Sequence, residues 1–164
     1  MLEPLLAGLR GHRRDWGTMG MSSVHSFSHL GICVSDLDAS LHFYCDGLGF
    51  EQGEAFPIDN TFSGALEIGG DVVLTSQFIR KGELSIELLH FSSPSATGEP
   101  SRRRNQLGLT HLSFTVDDVD AAAAELVAAG GTELASTRTT GDGIDLVFLS
   151  DPDGVRIELM RMGG

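Results

Sequence analysis

Two stretches of the chain carry nearly the same pattern, SHLGICVSDLDA at residues 28–39 and THLSFTVDDVDA at residues 110–121. In each stretch a histidine opens an alternating run that is typical of a strand, and an aspartate follows where it can cap a helix. A second repeat closes each half, because IEL at residues 86–88 recurs at residues 157–159. The sequence therefore predicts two similar modules.

Each module is predicted to run from a strand through a helix to three further strands, so the predicted fold class is α+β with two tandem βαβββ modules. The first module is expected over residues 25–91 and the second over residues 108–162. A linker rich in Ser and Pro is expected at residues 92–107. Within the first module, Gly69-Gly70 is predicted to close a tight hairpin.

The first 24 residues resemble neither module. They are expected to form a disordered N-terminal extension, with the true start of the protein near Met21. The alternative is a short docking helix anchored by Trp16.

Composition excludes several classes of function. A formal net charge of −12 argues against a nucleic-acid partner, because neutralising phosphates requires clustered Lys and Arg. Two cysteines cannot form a disulfide framework, so a reducing, cytoplasmic setting is expected. The chain contains no apolar run of about 18 residues, and no membrane partner is expected.

Strand alternation separates four polar side chains from the predicted core. Successive residues on a strand point to opposite faces of the sheet, so the large aliphatic residues of each repeat share one face. His29, Glu87, His111 and Glu158 all fall on the opposite face. If the sheet curls around that face, we expect the four side chains to meet in one cleft.

Two imidazoles and two carboxylates suit one divalent metal ion, which could be Zn, Ni, Co, Mn or Fe(II). A single histidine on a strand is more often a packing or surface residue. The repetition of both His and Glu in the two halves favours ligation, since a duplication that preserved only the fold would not require them.

Four motifs carry a family resemblance: SHLGI at residues 28–32, FYCDGLGF at 43–50, LTHLSFTVDD at 109–118 and DPDGVRIEL at 151–159. With them the chain resembles the vicinal oxygen chelate superfamily, which includes glyoxalase I, methylmalonyl-CoA epimerase and the extradiol dioxygenases. The resemblance implies an open, curled mixed β-sheet cleft, the glyoxalase/bleomycin-resistance/dioxygenase fold. It also implies a substrate that chelates the metal through adjacent oxygens.

Glu87 discriminates between branches of this family. The resemblance implies a fourth metal ligand at this position in glyoxalase I and the epimerases, whereas extradiol dioxygenases need only His29, His111 and Glu158. We therefore expect an isomerase or lyase that moves a proton through a metal-stabilised enolate, with Glu158 or Glu87 as the base and Glu158 favoured by resemblance. An Fe(II) dioxygenase and a non-catalytic drug-binding protein are the alternatives.

Other residues are weaker candidates for the cleft. Cys33 shares the face of His29 and is expected to line the wall. Arg102, Arg103 and Arg104 could bind a carboxylate or phosphate of a small-molecule substrate, although a solvated charge run is the commoner arrangement. A homodimer is expected, and the sequence leaves open whether the cleft lies within one chain or between exchanged modules.

Overall fold

A computed structural model of the chain describes residues 23–24, 26–100 and 103–163. The predictions for Arg102 and for nearly all of the N-terminal extension, including Met21 and Trp16, lie outside these residues. The elements are β1 Leu30–Val34, α1 Leu37–Leu41 continued by a π-helical segment His42–Gly47, β2 Glu51–Ile58, a 3₁₀ turn Asn60–Phe62, α2 Ser63–Leu66, β3 Val73–Lys81, β4 Leu84–Ser93, β5 Leu112–Thr115, α3 Val119–Ala128, β6 Thr132–Gly141, β7 Ile144–Ser150 and β8 Arg156–Met162.

The eight strands form two four-stranded mixed sheets with the same topology. Their strand orders are β1-β4-β3-β2 and β5-β8-β7-β6. In each sheet the first strand lies parallel to the last, and the other neighbours are antiparallel. The predicted α+β fold with two βαβββ units is confirmed. None of the helices in the described part of the chain is both long enough and apolar enough to cross a membrane.

The two crossover helices begin in the same way. The Asp36 carboxylate accepts a hydrogen bond of 3.0 Å from the Ala39 N–H, and Asp118 accepts one of 3.0 Å from Ala121. Each aspartate therefore satisfies a backbone donor that the first helical turn leaves unpaired. Both predicted N-caps are confirmed.

Module one departs from the prediction between β2 and β3. A strand is expected at residues 65–68 before the Gly69-Gly70 hairpin, but residues 65–66 belong to helix α2 and residues 67–68 to no strand. Gly69-Gly70 therefore does not join two paired strands, and β3 pairs with β2. The Asn60 side chain closes the intervening loop by accepting from the Val72 N–H and donating to Asp71. A short apolar run does not by itself distinguish strand from helix, which explains the error.

The apolar faces of both sheets contribute to one hydrophobic core. Ile86, Leu88 and Ile157 are fully buried, and Ile32 and Leu159 are no more than 5% exposed. The predicted alternation is confirmed, because the polar repeat residues lie on the faces directed away from this core. The core contributes most of the stability, at roughly 25 cal/mol for each Å² of apolar surface removed from water.

Aromatic residues near α1 fix the second module against the first. Fully buried Phe43 lies so close to Gly131 that a Cβ there would be 2.6 Å from its ring. Phe50 meets Phe114 edge to face, with ring centres 6.1 Å apart. Close packing of this kind leaves no room for the modules to slide without losing contacts.

Candidate metal centre

Half-site one consists of His29, Glu87 and Phe78. His29 lies directly before β1, and parallel pairing of β1 with β4 places Gly31 opposite Glu87. His29 Nε2 is 3.1 Å from Glu87 Oε2, while its Nδ1 is 2.9 Å from the Ser28 hydroxyl. The Phe78 ring meets His29 edge to face at 5.3 Å.

Half-site two consists of His111, Glu158 and Phe148 in the same arrangement. His111 Nε2 is 3.5 Å from Glu158 Oε2, and its Nδ1 is 2.9 Å from the Thr110 hydroxyl. Phe148 meets His111 edge to face at 5.3 Å. The two modules thus share a site geometry as well as a topology.

The geometry of each pair suits metal ligation. A hydroxyl partner on Nδ1 orients the imidazole and leaves Nε2 directed at the carboxylate, which is a common way of holding a ligating histidine. Two donors that bind one ion at about 2.1 Å lie about 3 Å from each other, close to the separations seen in both half-sites. The two carboxylates together would balance a divalent charge.

The four predicted ligands do not meet within one chain. Among the residues that the structure describes, no three His, Cys, Asp or Glu side chains are grouped closely enough to hold a metal ion. The expectation that one curled sheet gathers all four side chains is therefore not met by the single chain. Each pair belongs to its own four-stranded sheet, and the two sheets join through their apolar faces.

A cavity of about 280 Å³ lies beside half-site two. Its lining includes His111, Thr110 and Arg156 on one side and Gly31 and Cys33 of β1 on the other. Because Gly31 is the register partner of Glu87, this cavity reaches from half-site two toward the strand that carries half-site one.

Cys33 lines this cavity but is poorly suited to react as a nucleophile. Partial burial raises the pKa of the Cys33 thiol, and the nearby Asp153 carboxylate raises it further. The thiolate is the reactive form of cysteine, so a raised pKa keeps this side chain protonated at neutral pH. The structure places it on the cavity wall.

The arginine run and the remaining histidines occupy different surroundings. The Arg104 guanidinium stacks over the Phe148 ring, with Cζ 4.4 Å from the ring centre, while Arg103 lies in the same exposed segment. His42 instead pairs with Asp46 on the exposed side of the π-helical segment, at 2.7 Å. His90 lies half-buried on β4, where it belongs to neither half-site.

Comparison with known proteins identifies the family. Residues 26–159 match the Glyoxalase/Bleomycin resistance protein/Dioxygenase superfamily. The chain belongs to this superfamily. It is 34% identical over 148 residues to the uncharacterized Escherichia coli protein YaeR, covering 86% of this chain and 97% of that one. It is 30% identical over 136 residues to mitochondrial methylmalonyl-CoA epimerase from Bos taurus, covering 80% and 71%.

A solved structure supports the superfamily fold. A glyoxalase family protein from Bacillus cereus superposes with a TM-score of 0.76 at 20% identity, covering 90% of this chain and all of the other. At that identity the likeness establishes the fold only. The function of the site depends on its own residues and not on the fold.

The sequence interpretation missed both phenylalanines of this superfamily member's half-sites. Phe78 is the register partner of Glu87, and Phe148 is the register partner of Glu158. The sequence feature that could have indicated them is their position on the penultimate strand of each module, which lies next to the strand with the repeated glutamate. Using that signal requires the register of β3 against β4, and in module one the hairpin predicted at Gly69-Gly70 does not form.

One further contact distinguishes the glutamates. The Ser76 hydroxyl of β3 donates a hydrogen bond to Glu87 Oε1, and Ser76 is itself buried. Glu158 has no such donor among the described residues, and its polar contact there is His111. Glu87 is therefore held at both oxygens, whereas one oxygen of Glu158 is unconstrained.

Proposed function

We propose that this superfamily member is a divalent-metal-dependent isomerase or lyase that transfers a proton next to a carbonyl of a small oxygenated substrate. The observation that carries the proposal is the repeated geometry of the two half-sites. In both, a hydroxyl orients the imidazole, and Nε2 and a carboxylate oxygen converge at the spacing expected for ligands of one ion. Similarity to methylmalonyl-CoA epimerase supports the same class of reaction.

The two glutamates take different roles in this proposal. The bound ion would polarise the substrate carbonyl as a Lewis acid, which acidifies the neighbouring C–H. Glu158 accepts and returns that proton, because one of its oxygens is not engaged by any described donor. Glu87 remains a ligand, since the Ser76 hydroxyl holds its Oε1 and leaves Oε2 next to His29 Nε2. A base that can move between ligation and proton transfer suits acid–base catalysis.

Four ligands require both half-sites, and we propose that a second copy of the chain supplies the missing pair. Phe43 packed against Gly131 and the Phe50–Phe114 contact oppose rearrangement of the modules within one chain. A homodimer can pair half-site one of one protomer with half-site two of its partner without breaking that core.

Both cysteines in the described chain are free thiols, which agrees with a reducing, cytoplasmic setting.

Metal affinity tests the proposal directly. We expect protein purified without chelators to bind Ni²⁺, Co²⁺ or Zn²⁺, and Glu87→Ala to weaken that binding by at least about 10- to 100-fold, the range for losing even an outer-sphere partner. Glu87→Gln keeps an oxygen donor and should retain the metal with altered activity. Glu83→Ala removes an equal charge at the exposed β3–β4 turn and is the matched control.

The alternatives give different results in the same measurement. Iron binding that is unaffected by Glu87→Ala, together with oxygen consumption, would favour a dioxygenase that uses His29, His111 and Glu158. If the parent protein binds no divalent metal, the enzyme proposal is wrong and a binding protein is favoured.

A further inference from the structure

Arg104 lies beside half-site two through a shared aromatic ring. Its Cζ is 4.4 Å from the centre of Phe148, and the same ring meets His111 at 5.3 Å. Phe148 is also the register partner of Glu158. The guanidinium is therefore positioned next to the proposed ligands, although it comes from the linker between the modules.

The guanidinium is available to a ligand. In the part of the chain that the structure describes, Arg104 forms no ion pair with a carboxylate, even though the protein carries a net charge of −12. Stacking on a ring uses the face of the guanidinium and leaves its N–H donors at the edge free to bind oxygens. Residues 103–110 are all exposed, so nothing described in the chain covers this position.

Among the residues that the structure describes, no Lys or Arg stacks on the Phe78 ring of half-site one. The ring beside Phe78 is Phe56, with centres 6.1 Å apart in an edge-to-face arrangement. The described neighbour of the phenylalanine ring is thus aromatic in half-site one and cationic in half-site two. A ligand that spans both half-sites would meet an aromatic wall on one side and a guanidinium on the other.

We infer that Arg104 binds an anionic group of the substrate, a carboxylate or a phosphate, while adjacent oxygens of the same molecule reach the metal ligands. This inference rests on the proposed function. It narrows the substrate class to small anionic molecules in which the charged group lies beyond the pair of chelating oxygens. Arg suits this role because its planar fork of donors matches the oxygens of both anions.

Two probes with the same chelating group test the inference. Dihydroxyacetone phosphate and dihydroxyacetone both carry a hydroxyl next to a ketone, but only the first has an anion. We expect the Ni²⁺-loaded parent to bind the phosphate compound more tightly in calorimetric titrations. Arg104→Gln should reduce that preference by roughly 10- to 100-fold, the range for lost hydrogen bonds to a charged group, and Arg104→Lys should retain part of it.

Arg80→Gln is the matched control, because Arg80 is exposed at the end of β3 and its loss changes the net charge equally. It should leave the preference unchanged. The inference is overturned if the parent shows no preference for the phosphate compound, or if Arg104→Gln keeps the preference of the parent.

A metal-free arm separates this inference from the proposed function. Inorganic phosphate is titrated into the protein without added metal, where Arg104→Gln should weaken binding relative to Arg80→Gln. If the parent fails to bind nickel but this difference appears, the metal-enzyme proposal is wrong and the anion site stands. If nickel binds normally and the two variants bind phosphate equally, the anion site is wrong.

Discussion

Half-site one and half-site two contain the same histidine, glutamate and phenylalanine in the same geometry, yet their surroundings differ. In half-site one a buried serine holds the glutamate, and a second phenylalanine lies against the first. In half-site two the glutamate has no such donor among the described residues, and an arginine lies over the ring. The residues suited to hold an ion are the same in both half-sites, whereas the residues around them differ.

This difference suits the two glutamates to different tasks, one to metal ligation and the other to proton transfer. A glutamate that a buried serine holds is suited to remain a ligand, because moving it breaks that hydrogen bond. A glutamate with one unconstrained oxygen, next to a cation, is suited to meet a charged substrate and move a proton. The comparison therefore predicts that the half-sites are not interchangeable in function.

The largest expected effect is on metal binding, in two variants that each lack a different half-site. His29→Ala with Glu87→Ala removes the ligands of half-site one, and His111→Ala with Glu158→Ala removes those of half-site two. Each double variant alone should lose metal binding. When the two are mixed in equal amounts and refolded together, a heterodimer joins the surviving half-sites. Metal binding should return to about one ion for every heterodimer, which is about half of the dimers formed at random, measured by calorimetry.

The same mixture decides where the site is formed. If each chain builds its own site, the mixture stays without metal, and the second-copy proposal is wrong. The double variants should keep the melting temperature of the parent, because the altered side chains lie on the faces away from the core. A large loss of melting temperature would show that these residues serve mainly to stabilise the fold.

The next effect concerns the contact between modules, where the π-helical segment after α1 and the helix α3 contribute unequally. Fully buried Phe43 packs into module two, whereas the equivalent residue of α3, Glu125, is exposed. Phe43→Ala should lower the free energy of unfolding by about 3–5 kcal/mol through loss of burial and creation of a cavity. Glu125→Ala should change it by about 0.5 kcal/mol or less. Chemical denaturation measures both, and equal effects would contradict the asymmetric contact.

The smallest effect concerns the Tyr44–Asp151 hydrogen bond between modules. The Tyr44 hydroxyl donates to Asp151 at 2.9 Å, and burial raises the pKa of Asp151 above its ordinary value although this hydrogen bond lowers it. Tyr44→Phe should destabilise the fold by about 1–3 kcal/mol near neutral pH, because it leaves a buried carboxylate oxygen without its donor. Ser35→Ala removes an exposed hydroxyl contact to Asp153 and is the control.

The pH dependence of that loss has a defined sign. Because the pKa of Asp151 is raised in the folded state, its ionised form costs stability at neutral pH, and the cost disappears as pH falls through the folded pKa toward 3.8. Removing the tyrosine hydroxyl raises this pKa further. The destabilisation should therefore shrink in acid, and a constant loss between neutral pH and the ordinary carboxyl range would contradict the account.

Local rules predicted the regular parts of each module well. The alternation around His29 and Glu87 gave the buried and polar faces, since the side-chain period of a strand is independent of tertiary context. The caps at Asp36 and Asp118 were predicted because their hydrogen bonds form within one turn. The loop between β2 and β3 was predicted wrongly, because Asn60 and Val72 close it through contacts twelve residues apart that no local pattern contains.

The repeat alone was enough to assign the two βαβββ units and the polar faces that carry one histidine and one glutamate in each half. Those features depend on backbone periodicity and on residues that lie opposite each other on adjacent strands. Only the tertiary structure placed Phe78, Phe148 and Arg104 beside the histidines and kept the two His–Glu pairs apart within the described chain. The two phenylalanines lie there because of the strand register within each sheet, and the pairs are apart because the sheets dock through Phe43 and Gly131. Both features depend on contacts between residues that are distant in the sequence.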